Sequence, residues 1–326
     1  MTYCFETGST DPCWNLAYEE YLLERRTDGE LFMLWQNSPT VVIGLNQNAA
    51  EEVDAGRARE LGITVVRRMT GGGAVYHDSG NLNYSLISDA GEPAGLSLAR
   101  FMEPVCGALR SMGVPAEASG RNDITVEGLK VSGTARRIYK NRVLHHGTLL
   151  FKADKDAMSA VLRPDESKFT GKSAKSVRSR VGQISDFMPE GATMEAFRAG
   201  LLAALTSGGL EKAELLPAEL EDVARRAEKY RSWDWTWGRS PDFGFKNSRR
   251  FPGGRISVSL DVSGGVINSA AVSGDFMASV PCGALVDALI GSKYDRNSVL
   301  SRICGLNLQE ILGDISADEL LDVLFG

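Results

Sequence analysis

The chain has 326 residues and a mass of 35.2 kDa, enough for one large and one small domain, and its 43% hydrophobic content supports a proper core. A net charge of −6 and a pI near 5.3 argue against non-specific binding to nucleic acid, though a global balance leaves room for a local cationic pocket. No run approaches the roughly eighteen apolar residues of a membrane span, no basic-then-apolar signal pattern opens the chain, and five scattered cysteines form no C-x-x-C; a cytoplasmic protein without metal or disulfide framework is expected.

Thr10-Asp11-Pro12 starts a first helix, a capping side chain followed by proline in the first turn. Leu16, Ala17, Tyr21 and Leu22 recur at helical spacing, with Glu19, Glu20 and Glu24 assigned to the remaining surface. Leu31 to Trp35 and Val41 to Gly44 read as short strands joined by an Asn37-Ser38-Pro39 turn. Residues Glu51 to Leu61 read as a second helix ending at Gly62.

Then comes Ile63 to Val66, a buried strand, followed by Arg67-Arg68-Met69-Thr70-Gly71-Gly72-Gly73-Ala74-Val75-Tyr76-His77-Asp78. Three consecutive glycines cost chain entropy and persist where a backbone takes unusual dihedrals or comes close to a ligand. A strand, two cations and a glycine loop point to backbone N–H groups that meet an anion, the alternative being a bulged hairpin with solvated arginines. The loop is neither a dinucleotide fingerprint, because the glycine after Gly73 is Gly80, nor a P-loop. Gly171-Lys172-Ser173 has Glu166 where that motif needs its first glycine.

Leu82 to Ile87 reads as a strand and Leu98 to Met112 as a helix, with Cys106 on its inner face. Asn122 to Thr134 alternates like a hairpin turning at Glu127-Gly128. Ile124, Val126, Leu129 and Val131 would share the apolar face, and Asp123, Thr125, Lys130 and Ser132 the other. A lysine there is ordinarily solvated. Here Gly128, Gly133, Ser132 and Thr134 leave open space beside the ammonium, and Asp123 falls on the same face as a partner or ion ligand. Such a lysine can neutralise a phosphate and a carboxylate at once.

Arg142 to Phe151 is a strand on which His145 and His146 point to opposite faces, so they cannot share a metal. The basic segment Lys168 to Arg180 is either a mobile lid over an anionic ligand or a solvated loop. Thr193 to Leu205 and Pro217 to Tyr230 are amphipathic helices. Trp233 to Pro241 marks a boundary, after which strands, helices and a Ser316/Glu319 capping box form a small α+β domain.

Arg68-x-x-Gly71-Gly72-Gly73-Ala74-Val75-Tyr76-His77-Asp78-x-Gly80-Asn81 resembles the signature of ATP-dependent lipoate–protein ligases. Asn122-Asp123 with Lys130-Val131-Ser132-Gly133-Thr134-Ala135 resembles their second signature. His146 to Leu150, Ser176 to Val181, Trp233 to Pro241 and Gly274-Asp275-Phe276 are similar to further blocks of the long form, in the right order over nearly the whole chain.

The resemblance implies an α+β fold: a biotin/lipoyl protein ligase-like catalytic domain of mixed sheets flanked by helices over 1–240, and a small α+β accessory domain over 241–326. It implies an enzyme that activates lipoate with ATP to lipoyl-AMP, releasing pyrophosphate. The lipoyl group then passes to a lysine of lipoyl domains of 2-oxoacid dehydrogenase E2 subunits or of the glycine-cleavage H protein. Lys130 is the expected catalytic cation. Arg68, Gly73, Ala74, Val75, Tyr76, Asn122, Asp123 and Lys130 are the positions matched to ATP or adenylate, with Asp123 as a Mg²⁺ ligand. Leu16, Trp35, Gly72, His77 and Lys130 are the candidates for lipoate, Leu16 and Trp35 being equally readable as core. Lys175, Ser176, Arg178 and Arg180 fall in the lid candidate. ATP, Mg²⁺ and lipoate are expected as substrates, with no tightly bound prosthetic group, nucleic acid or membrane partner, on a monomer. The rivals are an octanoyl or lipoyl transferase of the same fold, which needs a cysteine in the acyl pocket, and a non-catalytic lipoate or adenylate carrier.

Overall fold

The computed structural model describes residues 2–91, 98–119, 122–162, 169–171, 181–205 and 209–326, with backbone alone at 98–100, 169–171 and 210. The chain opens with β1 (Thr2–Phe5), α1 (Pro12–Arg25), β2 (Glu30–Trp35), β3 (Thr40–Ile43), α2 (Ala49–Glu52) and α3 (Ala55–Glu60). It continues through β4 (Thr64–Arg67), β5 (Val75–His77), β6 (Asn81–Asp89), α4 (Leu98–Ser111), β7 (Ala116–Ser119), β8 (Asp123–Val126), β9 (Leu129–Tyr139) and β10 (Arg142–Leu150). Next come α5 (Lys155–Val161), β11 (Phe169–Gly171), α6 (Met194–Leu205), β12 (Leu210–Lys212) and α7 (Pro217–Arg231). The last part holds β13 (Phe243–Phe251), β14 (Gly254–Ser263), β15 (Val266–Gly274), α8 (Gly283–Leu289), α9 (Arg296–Ile303), α10 (Leu308–Leu312) and α11 (Ala317–Phe325).

Two compact units result. One comprises Met1–Leu45, Val66–Asp156 and Ser176–Arg231, the other Asn46–Val65, Ala157–Lys175 and Ser232–Gly326. The first is built on an eight-stranded mixed sheet in the order β12-β1-β2-β6-β10-β9-β8-β7, with β1 parallel to both its neighbours. Strand alternation sends Leu82 and Tyr84 of β6 into a core with Val105, Cys106 and Leu109 of α4 and Phe197 and Leu201 of α6. Ser85 points the other way, towards α1. The histidine pair obeys the same rule: the His145 ring stacks on Phe101 of α4 at 3.4 Å, whereas His146 bonds Glu19 of α1.

Asp11 caps α1 through the Cys13 N–H, as the sequence pattern predicts. Two expectations for this helix fail. Glu19 is fully buried and Glu20 nearly so, because each has distant partners. Glu20 takes the Lys229 ammonium at 2.6 Å and Glu24 the Arg226 guanidinium at 2.8 Å, which ties α1 to α7. The single helix expected over Glu51 to Leu61 is two short ones, because Asp54 leaves the helix to cap the Arg57 N–H.

The glycine-rich stretch links β4 to β5, the outer strands of a small sheet in the order β4-β3-β5. The second unit is a four-stranded antiparallel sheet, β11-β13-β14-β15, whose Ile256, Val258 and Leu260 pack on Leu285, Leu289, Leu320 and Leu324. Ser316 and Glu319 form the expected capping box on α11. No helix among the described residues is long and apolar enough to cross a membrane.

Candidate active site

One face of the large sheet gathers the polar groups. Register places Met33 opposite Ser85, Trp35 opposite Asn83, His146 opposite both Ser85 and Ala135, and Gly133 opposite Asp123. The β8–β9 hairpin turns where expected, with Glu127 at φ 50° and Gly128 at φ 76°, both positive as a type I′ turn requires. It departs from strict alternation at a bulge: Thr125 pairs with Lys130, but Ile124 pairs with Ser132. The extra residue swings Ser132 into the core, where it is fully buried, rather than onto the lysine's face. Gly133 takes the place beside Lys130. A Cβ there would stand 3.4 Å from the ammonium, so the missing side chain leaves Lys130 its room. The ammonium lies 2.9 Å from Asp123 Oδ1, with both side chains just under one-third exposed. Asn122 is fixed across the hairpin, its Nδ2 donating to the Thr134 carbonyl and its own carbonyl accepting the Thr134 N–H.

The glycine loop is held from inside by its carbonyls. Arg137 of β9 donates to the Met69 carbonyl, the Leu45 N–H to that of Thr70, and Arg68 to those of Gly71 and Gly73 at 2.7 and 2.8 Å. Arg68 also donates to the Val42 carbonyl and the Thr70 hydroxyl, so four of its five N–H groups are used within the chain. Burial lowers its pKa to about 10, with Glu19 opposing the shift, and it remains a cation at neutral pH. Arg67, fully buried, donates to the Gly44 and Leu45 carbonyls. Gly72 sits at φ +91°. Among the described residues, the N–H groups of Gly71, Gly72 and Gly73 donate to nothing in the chain. With the carbonyls turned in, these amides are donors that an anion could use. The end of the motif is structural: Asp78 accepts the N–H groups of Gly80 and Asp154, and Gly80 lies so close on the Lys152 carbonyl that no Cβ would fit.

His77 follows the loop on β5. Its Nδ1 accepts from Asn37 at 3.1 Å and Asn83 at 3.5 Å, whose amide oxygens are engaged by Asn15 and Asn81. The ring proton therefore sits on Nε2, which is buried and has no partner among the described residues. Burial, then the nearby Arg68 and His146, pushes His77 down to about 3, so it is neutral at physiological pH. The Trp35 ring meets its edge at 6.1 Å. Leu16 is buried on α1, and Trp35 is buried with its indole N–H donating to Ser85.

The predicted residues thus fall into two groups on one side of the first unit: Asp123 with Lys130, and the loop with Trp35 and His77. On β9, Gly133 lies beside the Lys130 ammonium, and Ala135, two residues on, pairs with His146. Among the described residues no hydrogen bond or ion pair joins the groups directly. Ala74, Val75 and Tyr76 run from the loop into β5, where Tyr76 pairs with Val41 and is buried. Lys175, Ser176, Arg178 and Arg180 lie outside the described residues. A cavity of about 400 Å³ in the second unit, lined by Trp233, Trp237, Phe245 and Tyr294 among others, contains none of the predicted residues. The described residues hold no cluster of three or more His, Cys, Asp or Glu able to bind a metal. Sequence reading passed over Glu19, Thr70, Ser85 and Arg137. The only signal for Glu19 was a carboxylate next to the apolar stripe of α1.

Residues 11–206 match the family model of the lipoyl protein ligase A/B catalytic domain, and residues 240–324 that of the bacterial lipoate protein ligase C-terminus. The lipoate-protein ligase LplJ of Bacillus subtilis is 38% identical over 331 residues, covering 100% of each chain. A crystal structure of lipoate-protein ligase A bound with ATP is 28% identical, with a TM-score of 0.62 over 73% of this chain and 98% of that one. A protein from T. acidophilum described as a putative lipoate protein ligase, with bound lipoic acid, is 27% identical, with a TM-score of 0.62 over 72% and 98%.

Proposed function

The chain belongs to the lipoate–protein ligase family, and from that premise we propose that it joins lipoate to protein in two steps through a lipoyl-adenylate. The observation that carries this reading is the glycine loop, whose carbonyls are tied inward by Arg68, Arg137 and Leu45 while three amides are left to meet an anion. In the first step a lipoate carboxylate oxygen attacks the α-phosphorus of ATP. A carbon–oxygen–phosphorus anhydride forms, the bond to the β-phosphate breaks, and pyrophosphate leaves with its electron pair. Two anions must approach each other, and the Lys130 ammonium is the cation that bridges them. Its salt link to Asp123 holds it in place beforehand.

The loop amides from Gly71 to Gly73 take the phosphates, and Ala74, Val75 and Tyr76 border the base. Arg68 acts on the nucleotide through the loop it holds. Asn122 steadies the hairpin that carries Asp123. Mg²⁺ fits as an ion brought by the ATP phosphates, with the Asp123 carboxylate as one hard oxygen ligand, and it would supply charge neutralisation. Leu16, Trp35 and Gly72 line the path of the apolar acyl chain, and the free His77 Nε2–H is a donor for the acyl acid's oxygen. In the second step a neutral acceptor lysine attacks the acyl carbonyl, the amide forms, and AMP departs; the amine proton goes to the leaving phosphate or to water. The acceptors are lipoyl domains of E2 subunits and the glycine-cleavage H protein, modified in the cytoplasm by a monomer whose catalytic part spans 1–240 and accessory part 241–326.

Mass spectrometry of protein mixed with ATP, Mg²⁺ and lipoate should detect lipoyl-AMP, which disappears as one lipoyl group is added to a lipoyl domain. Acyl transfer from an acylated carrier domain without ATP would establish the transferase reading instead.

A further inference from the structure

A chain of buried groups crosses the first unit from the large sheet to the glycine loop. The Trp35 indole N–H donates to Ser85 Oγ at 2.9 Å, and Ser85 Oγ donates to Glu19 Oε1 at 2.6 Å. His146 Nδ1 lies 2.9 and 3.0 Å from the two Glu19 oxygens, and its Nε2 lies 2.8 Å from Thr70 Oγ1. Thr70 Oγ1 in turn accepts from Arg68 Nε at 2.9 Å. All six residues are less than 10% exposed, and Glu19 is fully buried.

The ends of the chain have a fixed direction, because indole and guanidinium groups can only donate. Ser85 accepts from Trp35 and donates to Glu19, Thr70 accepts from Arg68, and His146 joins Glu19 to Thr70 through its two ring nitrogens. Two arms converge on one carboxylate, and the longer one ends on the Arg68 guanidinium that holds the Gly71 and Gly73 carbonyls. A buried carboxylate is costly, and well-packed apolar residues would fill the same space at least as stably. The cost is matched here by orientation: the Thr70 bond fixes the plane of the guanidinium, and that plane decides whether its remaining donors reach both loop carbonyls.

We propose that Glu19 and His146 are positioning residues for the nucleotide loop, holding its amides towards the phosphates through Thr70 and Arg68. The proposal rests on the adenylation reading above. It makes the ATP site depend on a carboxylate that touches no part of the loop, with 127 residues separating Glu19 from His146 along the chain.

Titration calorimetry of ATP without lipoate, and of lipoate without ATP, tests it. Thr70→Val keeps the shape and removes the hydroxyl, and should raise the ATP Kd about tenfold with the lipoate Kd within about twofold of wild type. Thr70→Ser restores the hydroxyl and should bind both ligands like wild type. Glu19→Gln keeps its volume but removes the negative charge and puts an NH2 in place of one of the two oxygens that face His146 Nδ1, so it too should weaken ATP. The double variant should be no weaker than the worse single one, as members of one chain are non-additive. Should Thr70→Val fail to fold, by circular dichroism, the isosteric Glu19→Gln carries the comparison. A lipoate Kd that rises while the ATP Kd stays fixed would make these acyl-tunnel residues. Variants that lose thermal stability with both affinities intact, or that weaken ATP additively, would likewise overturn the proposal. A folded wild type that binds no ATP would remove the adenylation reading itself.

Discussion

Gly72 is where the requirement on a single residue is strictest. Its φ of +91° lies in the region that side chains disfavour, and a Cβ would stand 3.0 Å from Arg68 Nη2. Alanine would add about 1–2 kcal/mol of strain and push on the group that holds the loop. We expect Gly72→Ala to lower kcat/KM by about tenfold or more with a small change in unfolding temperature, measured by steady-state pyrophosphate release. The buried histidines make a prediction about acid. His77 and His145 are each pushed down to about 3 from 6.5, first by burial, then by neighbouring arginine and His146. A depressed folded value means the unfolded chain binds more protons between those limits. Stability is therefore full above pH 6.5 and falls as pH drops towards 3, by up to about 1.4 kcal/mol per unit for each histidine. Thermal midpoints against pH should show this slope, and His77→Gln should flatten it by roughly half. Lys130 and the loop were legible as residues because their types are unusual for their places. Thr70 and Glu19 were not: a threonine in a loop and a glutamate in a helix are ordinary until their partners are known.

The same limit governs the elements. Periodicity marked α1, but a carboxylate counts as surface unless its partner is nearby in sequence. Glu20 meets Lys229 across 209 residues. The helical spacing of Glu51 to Leu61 continues past Asp54, whose side chain caps the second of two short helices instead. The β8–β9 hairpin was legible through its turn, whereas the bulge that buries Ser132 leaves no mark in the alternation. That turn carries a correctable imperfection. Glu127 adopts φ 50° without the local hydrogen bonding that lets asparagine accept such a conformation. Glu127→Asn should stabilise the chain by about 0.5–1 kcal/mol, raising the thermal midpoint by about 1–3 °C. An unchanged or lower midpoint would show that the turn is not under this strain.

For the molecule as a whole, the order of motifs along the chain allowed the family to be recognised, while its two units interleave segments that no composition shift announces. Residues 46–65 and 157–175 belong with the second unit although they lie within the first in sequence. The proposed reaction lies in the first unit, where Lys130 would bring a carboxylate and a phosphate together while the glycine loop takes the phosphates. Lipoate-dependent release of pyrophosphate from ATP, with no acceptor protein present, tests this most directly when wild type and Lys130→Ala are compared. The account predicts a burst of about one pyrophosphate per protein in wild type and a rate at least a hundredfold lower in the variant, the scale of losing one preorganised charge. A variant that keeps the wild-type burst would remove Lys130 from the reaction, and a wild type that releases none without acceptor would contradict the adenylate.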